Sequence, residues 1–209
     1  MPSSLNRVIR HHLAALRMLL VFTVITGIAY PLVVVGIAQA AFPHQANGSL
    51  IKDRGRPVAS SLIGQNFNLP LNKGQTSPQP DRKWFQPRPS AAGTTGYDPT
   101  SSGASNLGPN NPDLVAVIKA RRAAVAAFDG VPPSSVPVDA VTASGSGLDP
   151  DISPAYAYEQ VNRVAKAWGL NRPAVRKLVA DHIQGRNLGF LGQDRVNVVE
   201  LNHDLAASK

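Results

Sequence analysis

The stretch MLLVFTVITGIAYPLVVVGIAQAAF, residues 18–42, contains no charged side chain. As an α-helix it would rise about 37 Å, and the hydrocarbon core of a bilayer is about 30 Å thick. A soluble helix of this length would carry a polar stripe, and this stretch has none. The sequence therefore predicts one transmembrane helix (18–42) between a short N-terminal segment (1–17) and a larger domain (43–209).

A cleaved signal peptide is the competing interpretation of the same region. Arg7, Arg10 and Arg17 form a positive N-terminal region, and Ala38-Gln39-Ala40 resembles a cleavage site with small residues. The apolar core of a signal peptide has about 7–15 residues, however, and this run is longer. An uncleaved anchor is favoured, and both interpretations export the rest of the chain.

The basic residues around the helix predict its orientation. Arg7, Arg10 and Arg17 precede it, and no lysine or arginine follows before Lys52. The positive-inside rule then places residues 1–17 in the cytoplasm and the domain outside the cell membrane. The net charge of +8 comes from basic residues scattered along the chain, with few aromatics to stack on bases. This pattern argues against nucleic acid. Anionic lipid headgroups or an acidic partner fit it better, and a plain solvated surface fits it best.

Residues 43–209 predict a mixed α/β (α+β) domain. A hairpin is expected at 50–63, where Gly55 lies in the turn. Pro, Gly, Asn and Ser dominate residues 68–112, and 68–83 is predicted to be a flexible insertion. Three helices are expected after Asn111-Pro112, Ser153-Pro154 and Asn171, the last of them ending at Gly185. A strand is expected at Val138–Thr142, and either a strand or a capped helix at Asp194–Leu201.

The loop VTASGSGLDPDISP, residues 141–154, admits several chemical interpretations. It lacks the lysine of a phosphate-binding Walker loop and has Asp149 instead. Ser144 or Ser146 would need His182 and an aspartate to form a hydrolytic triad, and the motif G-x-S-x-G is absent. Asp149 and Asp151 lack the further carboxylates of a calcium loop. We therefore predict no catalytic residue and no metal here, and a strand-to-helix connection built from turn residues.

A second candidate surface lies in residues 84–111. WFQPRPSA offers the aromatic pair Trp84 and Phe85, followed by Arg88 held between two prolines. Proline restricts the backbone on both sides, which is a rigid way to present a guanidinium group. An ordered loop packed on its own domain explains the same residues, and the sequence alone leaves both interpretations open.

The chain resembles the C subunit family of the Kdp potassium-transporting ATPase over nearly its whole length. The segments that carry the resemblance are Tyr30-Pro31, QANGSL, LIGQNF, WFQPRPSAAG, SGASNLGP, VPVDAVTASGSGLDPDISP, LGFLG and RVNVVELN. Two departures are visible: the stretch between Phe67 and Trp84 is longer than is usual in the family, and Asp151 stands where a histidine is common.

The resemblance implies a non-catalytic subunit of a high-affinity, ATP-driven potassium import complex. Its partners would be a P-type, ATP-hydrolysing subunit, a channel-like potassium-binding subunit and membrane lipid. The complex would handle ATP and potassium, and this chain would bind no cofactor directly. The family is described as a catalytic chaperone that raises ATP affinity, and an exterior domain would have to act on ATP indirectly.

The alternatives are a membrane-anchored exterior serine hydrolase and a binding module. Under the leading hypothesis, twelve residues are candidates for partner contact. They are Gly27, Tyr30, Pro31 and Gly36 in the helix, and Trp84, Phe85, Arg88, Ser144, Gly145, Ser146, Gly147 and Asp149 in the domain.

Overall fold

The computed structural model describes residues 3–75 and 78–208, and the chain divides into two units, residues 1–49 and 50–209. The first unit is helical: α1 spans Ser3–Val24, a π-helical turn spans Ile25–Ala29, and α2 and α3 span Tyr30–Ala41 and Pro43–Ala46. Asn6–Ala41 is long and apolar enough to cross a membrane, with a mean hydropathy of 2.4 and no buried residue in its most apolar stretch. The predicted candidate for a membrane span is therefore present as one long helix.

The π turn is explained by Pro31. Proline has no N–H, and its ring clashes with the carbonyl four residues earlier, which here belongs to Gly27. In the π turn the Tyr30 N–H donates instead to the carbonyl of Ile25, five residues back. This local change of hydrogen-bond pattern lets the apolar helix continue through the proline, as membrane helices commonly do.

The second unit begins with the predicted hairpin. Strand β1 (Leu50–Asp53) pairs antiparallel with β2 (Arg56–Ser60), and a bulge interrupts the ladder after Ile51. Arg54 and Gly55 both have positive φ, 48° and 81°, as the favoured two-residue hairpin turn requires. The hairpin prediction is confirmed.

The rest of the unit combines helices with a small sheet, which confirms the mixed fold class. Strands β3 (Asp151–Ile152), β4 (Ile183–Gln184) and β5 (Arg195–Asn197) form an antiparallel sheet in the order β3-β5-β4. The helices are α4 (Pro112–Asp129), α5 (Pro154–Trp168), α6 (Arg172–Asp181) and α7 (Val198–Ala207). The sheet and the helices share one apolar core, whose fully buried side chains include Phe85, Val164, Val179, Val196, Leu201 and Leu205.

Side-chain caps start the helices where the sequence predicts them. The Asn111 side chain accepts hydrogen bonds from the N–H groups of Asp113 and Leu114, and Ser153 accepts from Tyr156. Asn171 precedes α6 as predicted, but its side chain forms no capping bond. Asn197 resolves the ambiguity at 194–201, because it ends strand β5 and caps α7.

One predicted strand and one predicted helix end are wrong. Val138–Thr142 is no strand: Val138–Ala140 forms a 3₁₀ turn, and both the N–H and the hydroxyl of Thr142 donate to the Val138 carbonyl. These local bonds outweigh the weak strand preference of the β-branched residues. Helix α6 ends at Asp181 rather than near Gly185, because Ile183 and Gln184 leave it to pair with β5.

The region 68–112 has the predicted irregular backbone. The predicted insertion 68–83 includes residues 76 and 77, which lie outside the described residues. At its base the Leu69 N–H donates to the Gln79 carbonyl at 2.8 Å. Its flexibility stays a prediction.

Candidate functional site

The two candidate surfaces of the domain form one structure. Three consecutive carbonyls of the 141–154 loop accept hydrogen bonds from two positions of the segment 86–103 and from Gly64. Ser146 accepts from the Gly103 N–H at 2.9 Å, Gly147 from the Ser90 hydroxyl at 2.6 Å, and Leu148 from the Gly64 N–H at 2.8 Å. We call residues 86–103 and 141–149 the interlocked loops, because each holds the other in place.

Arg88 makes the charged contact between the interlocked loops. Its guanidinium group lies 3.0 Å from the Asp149 carboxylate and also donates to the Thr142 carbonyl at 3.3 Å. About a quarter of each charged side chain is exposed, so water screens the pair only in part. We call residues 82–97 the proline-rich segment. Arg88 therefore ties both ends of the 141–149 loop to this segment.

The side chains of Ser90 and Tyr97 fix the backbone of the proline-rich segment by hydrogen bonds. The Ser90 hydroxyl accepts from the backbone N–H groups of Ala92 and Tyr97, while the Tyr97 hydroxyl donates to the Arg88 carbonyl at 2.8 Å. Burial raises the pKa of Tyr97, the Asp149 charge adds to this rise, and Arg88 opposes it. Tyr97 is therefore a neutral hydrogen-bond donor at physiological pH.

Gly147 allows the close approach of the loops. Its φ is +69°, and a Cβ atom at this position would lie 2.7 Å from the Gly103 carbonyl oxygen and 2.8 Å from the Ala92 nitrogen. Gly145 and Ser146 are exposed, in contrast, and nothing lies within 4 Å of an added Cβ at Gly145. One glycine is thus required by packing, while the other leaves an accessible loop tip.

Buried amide side chains hold the aromatic segment beneath the loops. Asn202 accepts from the Phe85 N–H and donates to the Phe85 carbonyl, both at 2.9 Å. Gln160 makes the same pair of bonds to the backbone of Gln86, at 2.6 and 3.1 Å. Two side chains thereby replace the neighbouring strand that an extended segment would otherwise need.

Arg163 is the centre of the buried polar network. It lies 2.5 Å from Asp129, and both side chains are 1% exposed. Its guanidinium group also donates to the carbonyls of Arg82 and Trp84 and to the Gln160 side chain. A buried arginine with so many acceptors fixes the start of the proline-rich segment against α5.

Comparison with known proteins identifies the family. A family model described as KdpC, K⁺-transporting ATPase, c chain, matches residues 12–207. The potassium-transporting ATPase KdpC subunit of Streptomyces coelicolor is 52% identical, with 97% of this chain and 94% of that protein covered. The protein of the same name from Streptomyces avermitilis is 53% identical, with 97% and 96% covered.

The likeness extends beyond these two relatives. The KdpC subunit of Methylococcus capsulatus is 48% identical, with 95% of this chain and 98% of that protein covered. The chain belongs to the KdpC family. The resemblance inferred from the motifs is therefore confirmed, and with it the association with a potassium-transporting ATPase.

The twelve candidate residues of this KdpC family member fall into separate groups. Arg88, Ser144, Gly145, Ser146, Gly147 and Asp149 come together in the interlocked loops. Trp84 is half-buried, with its ring 5.3 Å from that of Trp168. Phe85 is completely buried, so it belongs to the core and we remove it from the partner-contact candidates.

The four candidates in the helix belong to the first unit. Tyr30 is 66% exposed, and nothing lies within 4 Å of a Cβ atom added to Gly27 or Gly36. Both glycines therefore leave open positions along the helix, which suits the approach of a partner helix.

The structure gives the hydrolase alternative no supporting contact. Among the described residues, neither Ser144 nor Ser146 hydrogen-bonds to His182: each hydroxyl accepts from a backbone N–H within its own loop. The ring of His182 instead contacts the Leu178 carbonyl and the Asp204 carboxylate. In the described ranges no group of three or more His, Asp or Glu side chains is arranged to hold a metal ion.

Sequence reasoning missed Ser90, Gly64 and Gly103 as parts of the site. Ser90 lies within the RPSA motif that supports the family resemblance, so a signal was present. Gly64 and Gly103 likewise lie in the motifs LIGQNF and SGASNLGP, but both are distant from the 141–154 loop in sequence, and only the folded chain shows their backbone bonds to it.

Glu159 on α5 directly precedes Gln160 of this network, and its carboxylate is unfavourably placed when charged. Its Oε1 atom is buried and has no hydrogen-bond partner among the described residues. Burial, followed by the charges of Asp129 and Asp139, raises the pKa of Glu159 to about 7. The folded protein therefore binds a proton at this group more tightly than the unfolded chain does.

Glu159→Gln should remove a pH-dependent part of the stability. Because the folded pKa lies above the unfolded value, the stability from protonated Glu159 is full below about pH 4.5 and is lost as pH rises towards 7. Relative to the variant, the original protein should lose about 1 kcal/mol between about pH 5 and about pH 8. The test is the melting temperature of the original protein and of Glu159→Gln in detergent at both pH values. If the two proteins change by the same amount between these pH values, the prediction is contradicted.

Proposed function

We propose that this chain is a non-catalytic subunit of a high-affinity, ATP-driven potassium import complex. In this proposal it supports assembly and stability of the complex and regulates the ATP-hydrolysing subunit. Membership of the KdpC family, whose matched relatives are named potassium-transporting ATPase subunits, supports the assignment. In this proposal the subunit acts through two surfaces, one on the long apolar helix and one on the domain.

The long apolar helix is the observation that carries the proposal. Asn6–Ala41 exposes its apolar side chains along its whole length, which is unfavourable in water and favourable in a bilayer. We assign Met18–Phe42 to the membrane, residues 1–17 to the cytoplasm and the domain to the exterior. The basic residues that precede the helix support this orientation.

The interlocked loops are the proposed contact surface of the domain. We define the docking face as Arg88, Ser144, Gly145, Ser146 and Asp149. The backbone of its 141–149 part is held by hydrogen bonds from the segment 86–103 and from Gly64, so little conformational entropy would be lost when a partner binds. Gly147 lies buried beneath it, and Trp84 stays a separate, half-buried candidate.

The partners that we propose are the P-type, ATP-hydrolysing subunit and the channel-like, potassium-binding subunit. The helix would pack on their membrane helices through Gly27, Tyr30, Pro31 and Gly36. With the domain outside, ATP and potassium are bound by the complex, and any effect of this chain on ATP affinity is a coupling free energy transmitted through the partners.

Removal of the anchor should abolish assembly. A variant without residues 1–42, exported by a cleavable signal peptide, should fail to co-purify with the other subunits and should not restore growth on limiting potassium. The reason is that tethering raises the local concentration of the domain at its partners and supplies the helix contacts. Co-purification from detergent-solubilised membranes measures the effect.

A second variant separates tethering from helix recognition. Replacing residues 18–42 by an unrelated apolar span of equal length should restore membrane attachment but only part of the co-purification. Because the chain contains no cysteine, Lys119→Cys, an exposed position outside the docking face, labelled by a membrane-impermeant reagent in intact cells checks that the domain is outside. If the exported fragment without an anchor assembled and restored transport, the proposal would be wrong.

A further inference from the structure

A short loop between β4 and β5 exposes large apolar side chains to solvent. Leu188, Phe190 and Leu191 are 83%, 69% and 50% exposed, and all three belong to the segment LGFLG that supports the family resemblance. We call residues 187–191 the apolar loop. Exposure of adjacent large apolar side chains is unfavourable in water, and such patches commonly mark interaction sites.

The backbone of the apolar loop is held in one shape. Asn187 and Leu191 exchange two backbone hydrogen bonds, both 2.9 Å long, and the Gly189 N–H donates to the Arg186 carbonyl. Leu188 has a φ of +54°, a left-handed conformation that is unfavourable for a non-glycine residue. The chain thus holds its most exposed leucine in a strained position without burying it, which suits a role in binding.

The apolar loop is continuous with the docking face. A groove with a volume of about 600 Å³ is lined by Arg88 and Asp149 of the docking face and also by Gly192–Arg195, which directly follows the loop. Inside the groove, Arg195 pairs with Asp151 at 3.2 Å, as Arg88 pairs with Asp149. The apolar loop is therefore followed directly by a polar groove in which two arginine side chains are each paired with an aspartate.

The surroundings of the apolar loop favour a protein partner over lipid. Segments that bind the membrane surface combine apolar residues with several free cations and with tryptophan or tyrosine. Here Phe190 is the one aromatic residue of the loop. Of the two arginines beside it, Arg186 is exposed, while Arg195 is already paired with Asp151 and is preceded by the carboxylate of Asp194. One such cation is fewer than a membrane-binding segment usually carries. A rigid pair of leucine and phenylalanine side chains resembles the apolar anchors of protein interfaces.

We propose that Leu188 and Phe190 insert into an apolar pocket on another subunit of the potassium-transporting ATPase. The pocket is bordered by polar groups that face the two Arg–Asp pairs of the groove. This inference rests on the proposed function, because it adds an apolar anchor to the same docking face. It assigns the LGFLG segment a role in partner binding.

Leu188→Ser combined with Phe190→Ser should weaken assembly. Burial of a leucine or phenylalanine side chain changes an association constant by about tenfold or more, so the double variant should bind at least tenfold more weakly. The measurement is the affinity of the detergent-solubilised full chain for the other subunits, purified from cells that lack this chain. Leu69→Ser, which alters a leucine 49% exposed and outside the groove, is the matched control.

Folding is monitored separately. The substituted side chains are exposed, so the melting temperature of the full chain should stay within about 2 °C of the original. If the affinity of the double variant equals that of the Leu69→Ser control, the inference is overturned. If the unaltered chain itself fails to bind the other subunits, the proposed function fails instead, so the two failures are distinguishable.

A fluorescent label separates protein from lipid. In the cysteine-free chain, Leu188→Cys carries a single environment-sensitive dye. We expect its emission to shift to the blue when the other subunits are added. A blue shift for the full chain alone, in vesicles of phosphatidylethanolamine and phosphatidylglycerol, would show insertion into lipid and overturn the inference. An unchanged spectrum in both cases would also overturn it.

Discussion

Arg163→Met should lower the free energy of unfolding of the domain by about 3–5 kcal/mol, the usual effect of breaking a buried ion pair from one side. The substitution leaves the Asp129 carboxylate buried without its partner, and burial already raises the pKa of Asp129. It also removes the donors to the carbonyls of Arg82 and Trp84. Chemical denaturation of the full chain in detergent, followed by circular dichroism, measures the loss.

The matched control removes both charges. Asp129→Asn combined with Arg163→Met leaves no unpaired buried charge, so the double variant should lose less stability than the sum of the two single variants. Additive losses would mean that the two side chains act independently, contrary to their contact of 2.5 Å. Because Arg163 also fixes the start of the proline-rich segment, the single variant should assemble poorly as well.

Gly147→Ala should destabilise the interlocked loops by about 3 kcal/mol. A left-handed φ of +69° is strained for alanine, and its Cβ would lie 2.7 Å from the Gly103 carbonyl oxygen and 2.8 Å from the Ala92 nitrogen. Backbone strain and overpacking each cost about 1–3 kcal/mol. The 141–149 loop should separate from the proline-rich segment, and thermal unfolding should begin at lower temperature.

Gly145→Ala is the control in the same loop. Gly145 has no positive φ, and an added Cβ meets nothing within 4 Å, so its stability should change by less than about 0.5 kcal/mol. Co-purification with the other subunits should fall for Gly147→Ala, because the loop that carries the docking face loses its close packing. Equal stability of the two variants would contradict the close packing at Gly147.

Local signals in the sequence were sufficient for the helix starts and for the long apolar helix. The uncharged run 18–42 predicts a spanning helix because its length and composition suit the hydrocarbon core of a bilayer. Asn111 and Ser153 predict helix starts because a capping side chain and the following proline act within three residues. The prediction failed at Val138–Thr142, where apolar β-branched residues follow Pro137 and form a local turn instead of a strand.

The sequence by itself determined an apolar span, a mixed α/β domain and membership of a family, because these depend on composition and on motifs read along the chain. Only the tertiary structure decided that Arg88 meets Asp149, that Asn202 bonds to Phe85, and that Phe85 is core rather than surface. Such contacts join residues 61 and 117 positions apart. They form because buried backbone groups must find hydrogen-bond partners wherever the packed helices and loops place them.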